Sequence, residues 1–351
     1  MQLGPIRAAV LGASGFTGGE LIRLLRAHPR VEITYLGAHG SVGKAVAEVH
    51  PHLALDDIDR TLRPIEADAV ADAADLAFLA LPHGASAPLA PALVERGVRV
   101  IDLGGDFRLP AADYLPWYGF EHPAPAWPDK AAYGLPELFA DDIAGADLVA
   151  NPGCFPTAVI LGIAPLLAAG LIDASAPVLV DGKTGLSGAG RAATESTSYA
   201  ATEESVRPYR LPRHQHIPEM ERGLERASGV APQMTFVPHL VPAVRGVVTT
   251  SYARCSDGTT GERLMACLAE SYAGRPFVRV LPPGGMVDSK RTRGSNLIEL
   301  QAAVDPRTGT AIVVAALDNL LKGAAGQAVQ NLNLMLGLPE ATGLPTVAVY
   351  P

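Results

Sequence analysis

Ile6-Arg7-Ala8-Ala9-Val10-Leu11-Gly12-Ala13-Ser14-Gly15-Phe16-Thr17-Gly18 is the stretch that decides the fold class. Ile6 to Leu11 is apolar except for Arg7 and reads as a strand, while Phe16 to Ala27 carries Leu21, Leu24 and Leu25 at helical spacing. A strand, a glycine turn and a helix N-terminus together make a pyrophosphate cradle. Glycine permits close backbone approach, and the free N–H groups of a helix start attract anions. On this reading Gly12, Ser14, Gly15, Phe16, Thr17 and Gly18 line the cradle. The spacing is G-x-x-G-x-x-G rather than G-x-G-x-x-G, and a ligand-free strand-to-helix turn can use the same pattern.

The second strand, Val31 to Leu36, indicates which dinucleotide fits. NAD sites usually end this strand on an acidic residue that holds the ribose 2′-OH. Here Glu32 lies near the start, and the strand runs out into Gly37-Ala38-His39-Gly40-Ser41-Val42-Gly43-Lys44. Ser41 and Lys44 suit a 2′-phosphate, so the expected cofactor is NADP(H). Taken singly, Lys44 reads equally as a solvated lysine in a turn.

Further apolar runs at Leu76 to Ala80, Val98 to Leu103 and Leu148 to Ala150, with a helical pattern from Ser86 to Arg96, predict βαβ units and a parallel sheet. Arg108 to Leu138, rich in Pro, Gly and aromatics, reads as an irregular loop over a site. From Cys154 a helix is followed by longer extended runs at Pro177 to Lys183, Gln233 to Val237, Val244 to Ala253, Ser295 to Val304 and Thr310 to Leu317. Runs of this kind suit the mixed or antiparallel sheet of an α+β domain. The fold class is therefore α/β, an N-terminal Rossmann dinucleotide-binding domain plus an α+β catalytic domain. The expected division is 1–150 for the first and 151–318 for the second, which also carries substrate binding and oligomerisation. Residues 319–351, helical from Asn319 to Leu336, pack back on the first.

A length of 351 residues suits two domains, and 48% hydrophobic against 18% charged residues excludes a disordered chain. A net charge of −8 argues against a general nucleic-acid binder or a basic membrane-surface protein. Three cysteines, Cys154, Cys255 and Cys267, make no disulfide framework and point to a reducing compartment. MQLGPIRAAVLG lacks the features of a signal peptide, so the expected location is cytoplasmic. Leu148 to Ile172 has no charged side chain, but Pro152, Pro156 and Pro165 break it. It reads as a strand end and a core helix rather than a membrane span.

Asn151-Pro152-Gly153-Cys154-Phe155-Pro156-Thr157 places Cys154 at a helix start. There the thiol pKa is lowered and backbone N–H groups face an adjacent oxyanion, which is what a nucleophilic cysteine needs. Cys255 and Cys267 have no such setting and read as small buried hydrophobes. In His214-Gln215-His216-Ile217-Pro218-Glu219, Pro218 is expected to start a helix over Glu219 to Ala227, fixing His216 just ahead of it with Glu219 near enough to orient a ring. His216 is then the general acid/base. A metal site on His214 and His216, with His50 and His52, lacks a complete ligand set, so no metal is expected. Cradle, cysteine and histidine together suggest aldehyde-level redox chemistry through a thioester.

Several segments carry a resemblance running from Arg7 to Pro351. They are GASGFTGGEL from Gly12, LALPHG from Leu79, DLGGDFRL from Asp102, YGLPEL from Tyr133, NPGCFPT from Asn151, SGAGR from Ser187, HQHIPE from His214, PHLVP from Pro238 with Arg245-Gly246, and DNLLKGAAGQAVQN from Asp318. The chain resembles the N-acetyl-gamma-glutamyl-phosphate reductases, NADP-dependent enzymes of arginine biosynthesis. It departs from their pattern at Gly105, where alanine is commoner, and at Thr184, where serine is; Gly37 to Lys44 matches least. The resemblance implies a fold like those of aspartate-semialdehyde and glyceraldehyde-phosphate dehydrogenases, a homo-oligomer (dimer or tetramer), and no nucleic-acid or membrane partner. It implies NADPH-dependent reduction of N-acetyl-gamma-glutamyl phosphate to the 5-semialdehyde, with Cys154 as nucleophile and His216 as acid/base. Pro82, Ser187, Gly188 and Asn319 fall near the nicotinamide. Arg108 and Arg245 are the expected cationic partners of the substrate's carboxylate and phosphate, with Asn151, His214 and Glu219 completing the substrate set. From the residues alone, either arginine also reads as a surface ion pair.

Rival readings remain at this point. A cysteine hydrolase needs Cys154 and His216 but not the cradle; a dinucleotide-sensing module needs the cradle but not Cys154. A sister reductase would act on a carrier-linked or one-carbon-longer acyl phosphate.

Overall fold

The computed structural model describes residues 4–54, 61–192 and 194–350. They form two compact units, one running to Pro152 and including Ala324–Leu344, the other comprising Gly153–Gly323 and the residues from Pro345 onward.

In the first unit β1 (Ile6–Leu11), β2 (Val31–Gly37), β3 (Leu76–Leu79), β4 (Arg99–Asp102), β5 (Ala132–Tyr133) and β6 (Leu148–Ala150) form one sheet in the order β2-β1-β3-β4-β6-β5. Every pairing in it is parallel. The chain leaves β1 toward β2 on one side and reaches β3 on the other, so the crevice at the carboxyl ends of β1 and β3 is where such a sheet binds ligands. Helices α1 (Phe16–Arg26), α2 (Val46–Val49), α3 (Ala67–Ala73), α4 (Leu89–Val94), α5 (Tyr114–Tyr118) and α6 (Pro136–Ala144) belong to this unit. All four residues of β3 are fully buried, as expected of a sheet covered on both faces.

The stretch 108–138 is not one irregular loop. It contains α5, the two-residue edge strand β5 and the start of α6, with Pro136 at the first helical position, where its missing N–H costs nothing. A two-residue strand is too short to leave a periodic signal.

The second unit carries β7 (Val178–Thr184), β8 (Arg207–Pro208), β9 (Met234–Leu240), β10 (Val247–Arg254), β11 (Val278–Val280), β12 (Ile298–Asp305) and β13 (Thr310–Leu317). They form a mixed sheet in the order β11-β12-β13-β10-β7-β9-β8. Its helices are α7 (Cys154–Ala168), α8 (Tyr199–Thr202), α9 (His216–Ser228) and α10 (Gly261–Ser271). α7 is apolar all round and buried from Phe155 to Leu167, and Gly162 lets it approach Val313 of the sheet. The opposite face is open, with Leu179 47% and Tyr252 38% exposed. Among the described residues no helix is long and apolar enough to cross a membrane.

Two expected boundaries move. α9 starts at His216, with Pro218 inside its first turn, where N–H groups have no intrahelical acceptor. The helical pattern from Asn319 opens instead as a π-turn over Leu321–Ala325, and α11 (Gly326–Met335) follows. The return to the first unit therefore begins at Ala324, not Asn319. It ends at Leu344, because the Val349 N–H donates to Arg293 O at 2.8 Å and holds the C-terminal stretch to the second unit.

Candidate active site

The cradle's three glycines have separate causes. Gly12 sits at φ +89°, and a Cβ there would lie 2.1 Å from Ala80 O. A Cβ on Gly18 would lie 2.3 Å from Gly12 O. These two are glycine because the turn and the close helix–strand packing leave no room. Gly15, the N-cap of α1 at φ −78°, would set its Cβ no closer than 3.5 Å to Gly12 O. Packing does not demand glycine there, but a phosphate lying against the backbone does. α1 has no side-chain cap and no acidic residue in its first turn, so its N-terminus keeps its positive potential. The residues present therefore fit a dinucleotide pyrophosphate.

Beyond β2, Ser41 is half-buried and Lys44 exposed in a turn held by backbone pairing of Gly43 and Lys44 with Leu62. The same pairing brings in Arg63, which no local sequence signal marks. Its N–H donates to Leu36 O at 2.8 Å, it forms a bridge with Gly37, and its guanidinium carbon lies 4.2 Å from the Tyr35 ring centroid. Arg63 is thus a second cation beside the end of β2.

Pro82 is exposed at the end of β3, and the loop after it is moulded by Asp106. That carboxylate accepts the N–H groups of Gly84, Ser86 and Ala87 at 2.8 to 2.9 Å. Burial, and next the charge of Asp106, push the Asp102 carboxyl up to about 7. Burial raises Asp106 as well, while its three N–H donors pull the other way. Both acids lie in a motif that read only as resemblance.

Arg108 and Asn151 are both tied into the first unit. Arg108 is buried and donates from Nε to Asn151 O at 2.8 Å and from Nη2 to Leu103 O at 3.0 Å. It clamps backbone rather than lying as a surface ion pair. The Asn151 Oδ1 accepts from Asn331 Nδ2 at 3.0 Å and its own Nδ2 donates to Ala324 O at 3.3 Å, which ties Asn151 into this unit. Both side chains hold the chain just beyond β6 in shape within the first unit.

In the second unit Cys154 is the first residue of α7, with Gly153 as its N-cap. The Gly153 N–H donates to Glu219 Oε1 at 2.8 Å, so buried Glu219 holds the helix start that carries Cys154. Thr157 Oγ1 donates to Gly153 O at 2.9 Å and tightens the same turn. The first backbone N–H groups of α7 have no intrahelical acceptor, as at any helix start. Burial pushes the thiols of Cys255 and Cys267 up, which disfavours their thiolates.

His214 and His216 stand together, ring centroids 4.7 Å apart, and the His216 N–H donates to His214 Nδ1 at 3.1 Å. The His216 ring lies 6.2 Å from Phe155, the neighbour of Cys154, and His214 packs edge-on to Phe236. His214 is 3% exposed, so it supports His216 more directly than it faces solvent. Among the described residues no three His, Cys, Asp or Glu side chains are grouped to hold a metal. Ser187 and Asn319 are brought together, Nδ2 of Asn319 donating to Ser187 Oγ at 2.9 Å, while Asn319 Oδ1 accepts the Gly246 N–H at 2.8 Å. Gly188 lies beside them, where a Cβ would meet Thr184 Oγ1 at 3.2 Å. Arg245 keeps a quarter of its side chain exposed and reaches Asp318 Oδ2 at 3.5 Å.

Residues 7–146 match the family described as semialdehyde dehydrogenase, NAD binding domain, and residues 154–319 the one described as semialdehyde dehydrogenase, dimerisation domain. The fold is shared with aspartate semialdehyde dehydrogenase II of Vibrio cholerae, with a TM-score of 0.73 at 18% identity over 95% of this chain and 99% of that one. The enzyme of Candida albicans, solved with NADP, gives 0.71 over the same shares. A protein of Magnetococcus marinus named N-acetyl-gamma-glutamyl-phosphate reductase is 45% identical over 99% of both chains. One of Brevibacillus brevis with that name is 46% identical over 99% of this chain and 100% of its own. Identity of that extent, over a nucleotide cradle and a cysteine-headed helix alike, places the chain in the N-acetyl-gamma-glutamyl-phosphate reductase family.

Proposed function

We propose that this protein reduces N-acetyl-gamma-glutamyl phosphate to N-acetylglutamate 5-semialdehyde and phosphate, in arginine biosynthesis. The observation that carries the reading is Cys154 at the first position of a buried helix whose N-cap N–H is held by Glu219. A hydrolase reading leaves the Gly15 cradle without a purpose, and a sensor reading leaves Cys154 without one.

The thiolate of Cys154 attacks the acyl carbon, the C–O bond to phosphate breaks with its electron pair leaving on phosphate, and a thioester remains. Backbone N–H groups at the start of α7 hold the oxyanion formed on the way. Gly12, Ser14, Gly15, Phe16, Thr17 and Gly18 would hold the pyrophosphate of NADPH and Ser41, Lys44 and Arg63 its 2′-phosphate; the cofactor would supply the hydride that reduces the thioester carbonyl. Pro82 in the first unit, and Ser187, Gly188 and Asn319 in the second, are the residues assigned to the nicotinamide by the family resemblance. His216 protonates the thiohemiacetal oxyanion and takes the proton back as the C–S bond breaks, releasing aldehyde and thiolate. Arg245 serves the substrate's anionic groups, Glu219 positions the helix start at Cys154, Arg108 and Asn151 hold the chain beyond β6, and His214 supports His216.

The open sheet face, with Leu179 and Tyr252 exposed, suits self-association, and sedimentation should find a dimer or a larger homo-oligomer. The location that goes with this activity is the cytoplasm. The reaction is tested by phosphate- and NADP-dependent oxidation of N-acetylglutamate semialdehyde beside aspartate semialdehyde. Preference for the aspartate compound would overturn the assignment of substrate.

A further inference from the structure

We propose that the turn Asp318–Gly323 is a positioning strut for Cys154, with Gly323 as the surface that seats the cysteine and Asp318 as its anchor. The proposal rests on Cys154 being the nucleophile.

Gly323 lies directly against the cysteine. A Cβ built on it would stand 2.6 Å from Cys154 Cβ and 3.2 Å from Cys154 Cα, closer than real carbon contacts allow. The contact is backbone to β-carbon, so no side-chain rotation relieves it. Gly323 is presented by the π-turn Leu321–Ala325, a wider turn than an α-helix and one frequent at functional sites.

Asp318 fixes that turn. It is fully buried, and Oδ1 accepts the N–H groups of Leu320 at 2.9 Å and Leu321 at 3.3 Å. Oδ2 accepts the Gly294 N–H at 2.8 Å and reaches Arg245 Nη1 at 3.5 Å. The Asp318 carbonyl accepts the Gly323 N–H at 3.0 Å, closing the loop on itself. Next to it, Asn319 bonds Gly246 and Ser187. One buried carboxylate thus joins the Arg245–Gly246 segment to the turn that seats Cys154. Lys322, fully buried with Nζ 5.8 Å from the Phe277 ring, stiffens the turn from its other side. Substrate-facing arginine and nucleophile are built into one rigid piece.

The test compares Gly323→Ala with Gly145→Ala, a glycine with open space around it and φ −104°, in the full chain. Gly323→Ala must push Cys154 off its seat. It should lower kcat by roughly 10- to 100-fold, the usual consequence of a misplacement of about 1 Å. The midpoint of the pH profile for Cys154 alkylation should move upward, because a thiol displaced from a helix N-terminus loses its thiolate stabilisation. NADPH affinity should stay within about twofold, and Gly145→Ala should change nothing. Asp318→Asn keeps an acceptor for Leu320 and Leu321 but places an amide against Gly294 and Arg245; it should move the same profile in the same direction. If Cys154→Ser abolishes turnover while Gly323→Ala and Asp318→Asn leave kcat and the alkylation profile unaltered, the strut is wrong and the nucleophile stands. If Cys154→Ser retains turnover, the nucleophile itself is wrong.

Discussion

Two helices in this chain begin at glycine-rich turns, α1 after Gly15 and α7 after Gly153, and they are held in shape by different means. At α1 the determinants are backbone: Gly12 is fixed by Ala80 O beyond β3, Gly18 by Gly12 O within the turn, and Gly15 is left open for a ligand. At α7 they come from far along the chain. Glu219 holds the Gly153 N–H, and Gly323 lies against Cys154. An anion site made of backbone can be written in seven residues. A nucleophile needs side chains whose positions only the tertiary fold supplies.

The largest effect that sharpens this contrast is expected at α7. His216→Asn should lower kcat by roughly 10²- to 10⁴-fold and leave NADPH binding intact, because proton transfer acts in the transition state. Equal loss of cofactor binding, read by fluorescence titration, would make His216 structural and erase the distinction between the two regions.

Behind the cradle, Asp102 makes the first region depend on pH. Its folded pKa of about 7 lies above the ordinary value of 3.8, so between those limits the folded protein keeps a proton that the unfolded chain has released. Stability from this group is complete below the unfolded value and is lost as pH rises through that window, flattening above it. Thermal melts should show Asp102→Asn gaining on the parent protein as pH rises from 4 to 8, by an amount on the order of 4 kcal/mol at most. A constant difference would mean that Asp102 is ionised in the fold.

Within the cradle the glycines should separate. Gly12→Ala, strained by its φ and by Ala80 O, should lose more than about 2 kcal/mol of stability together with cofactor affinity. Gly15→Ala should keep its stability to within about 1 kcal/mol and still weaken NADPH binding. Parallel losses in both variants would put Gly15 among the packing glycines.

The smallest effect is expected where the site meets solvent. Lys44→Ala should weaken NADPH more than NADH, by ~1.5 to 3 kcal/mol at low salt and less at high salt. Arg63→Ala should act in the same sense. Loss shared equally by the two cofactors would remove these cations from the 2′-phosphate.

What was legible follows the same division. The parallel sheet, the cradle and the cysteine-headed helix are written in periodicity and in glycine, proline and cysteine placement, all of which act within a few residues. The hydrogen-bond partners of Arg108, Asn151 and Glu219 were not legible. A charged or amide side chain carries no mark of whether its partner is a substrate or a backbone carbonyl, and here the partners are Leu103 O, Asn151 O, Asn331 and the Gly153 N–H. The π-turn at Leu321 was hidden inside a good helical pattern because its departure is set by Asp318 and by the space beside Cys154. Arg63 enters only through its pairing beside Gly37, which no local signal announces.

The central claim is that Cys154 carries the acyl group, and trapping that group tests it most directly. Mixed with N-acetyl-gamma-glutamyl phosphate and no NADPH, the protein should release a burst of about one phosphate per active site. Mass spectrometry of the quenched protein should then find the acyl adduct on Cys154, and adding NADPH should discharge it as aldehyde. An adduct on Cys255 or Cys267, or a Cys154→Ser protein that gives the same burst, would contradict the account.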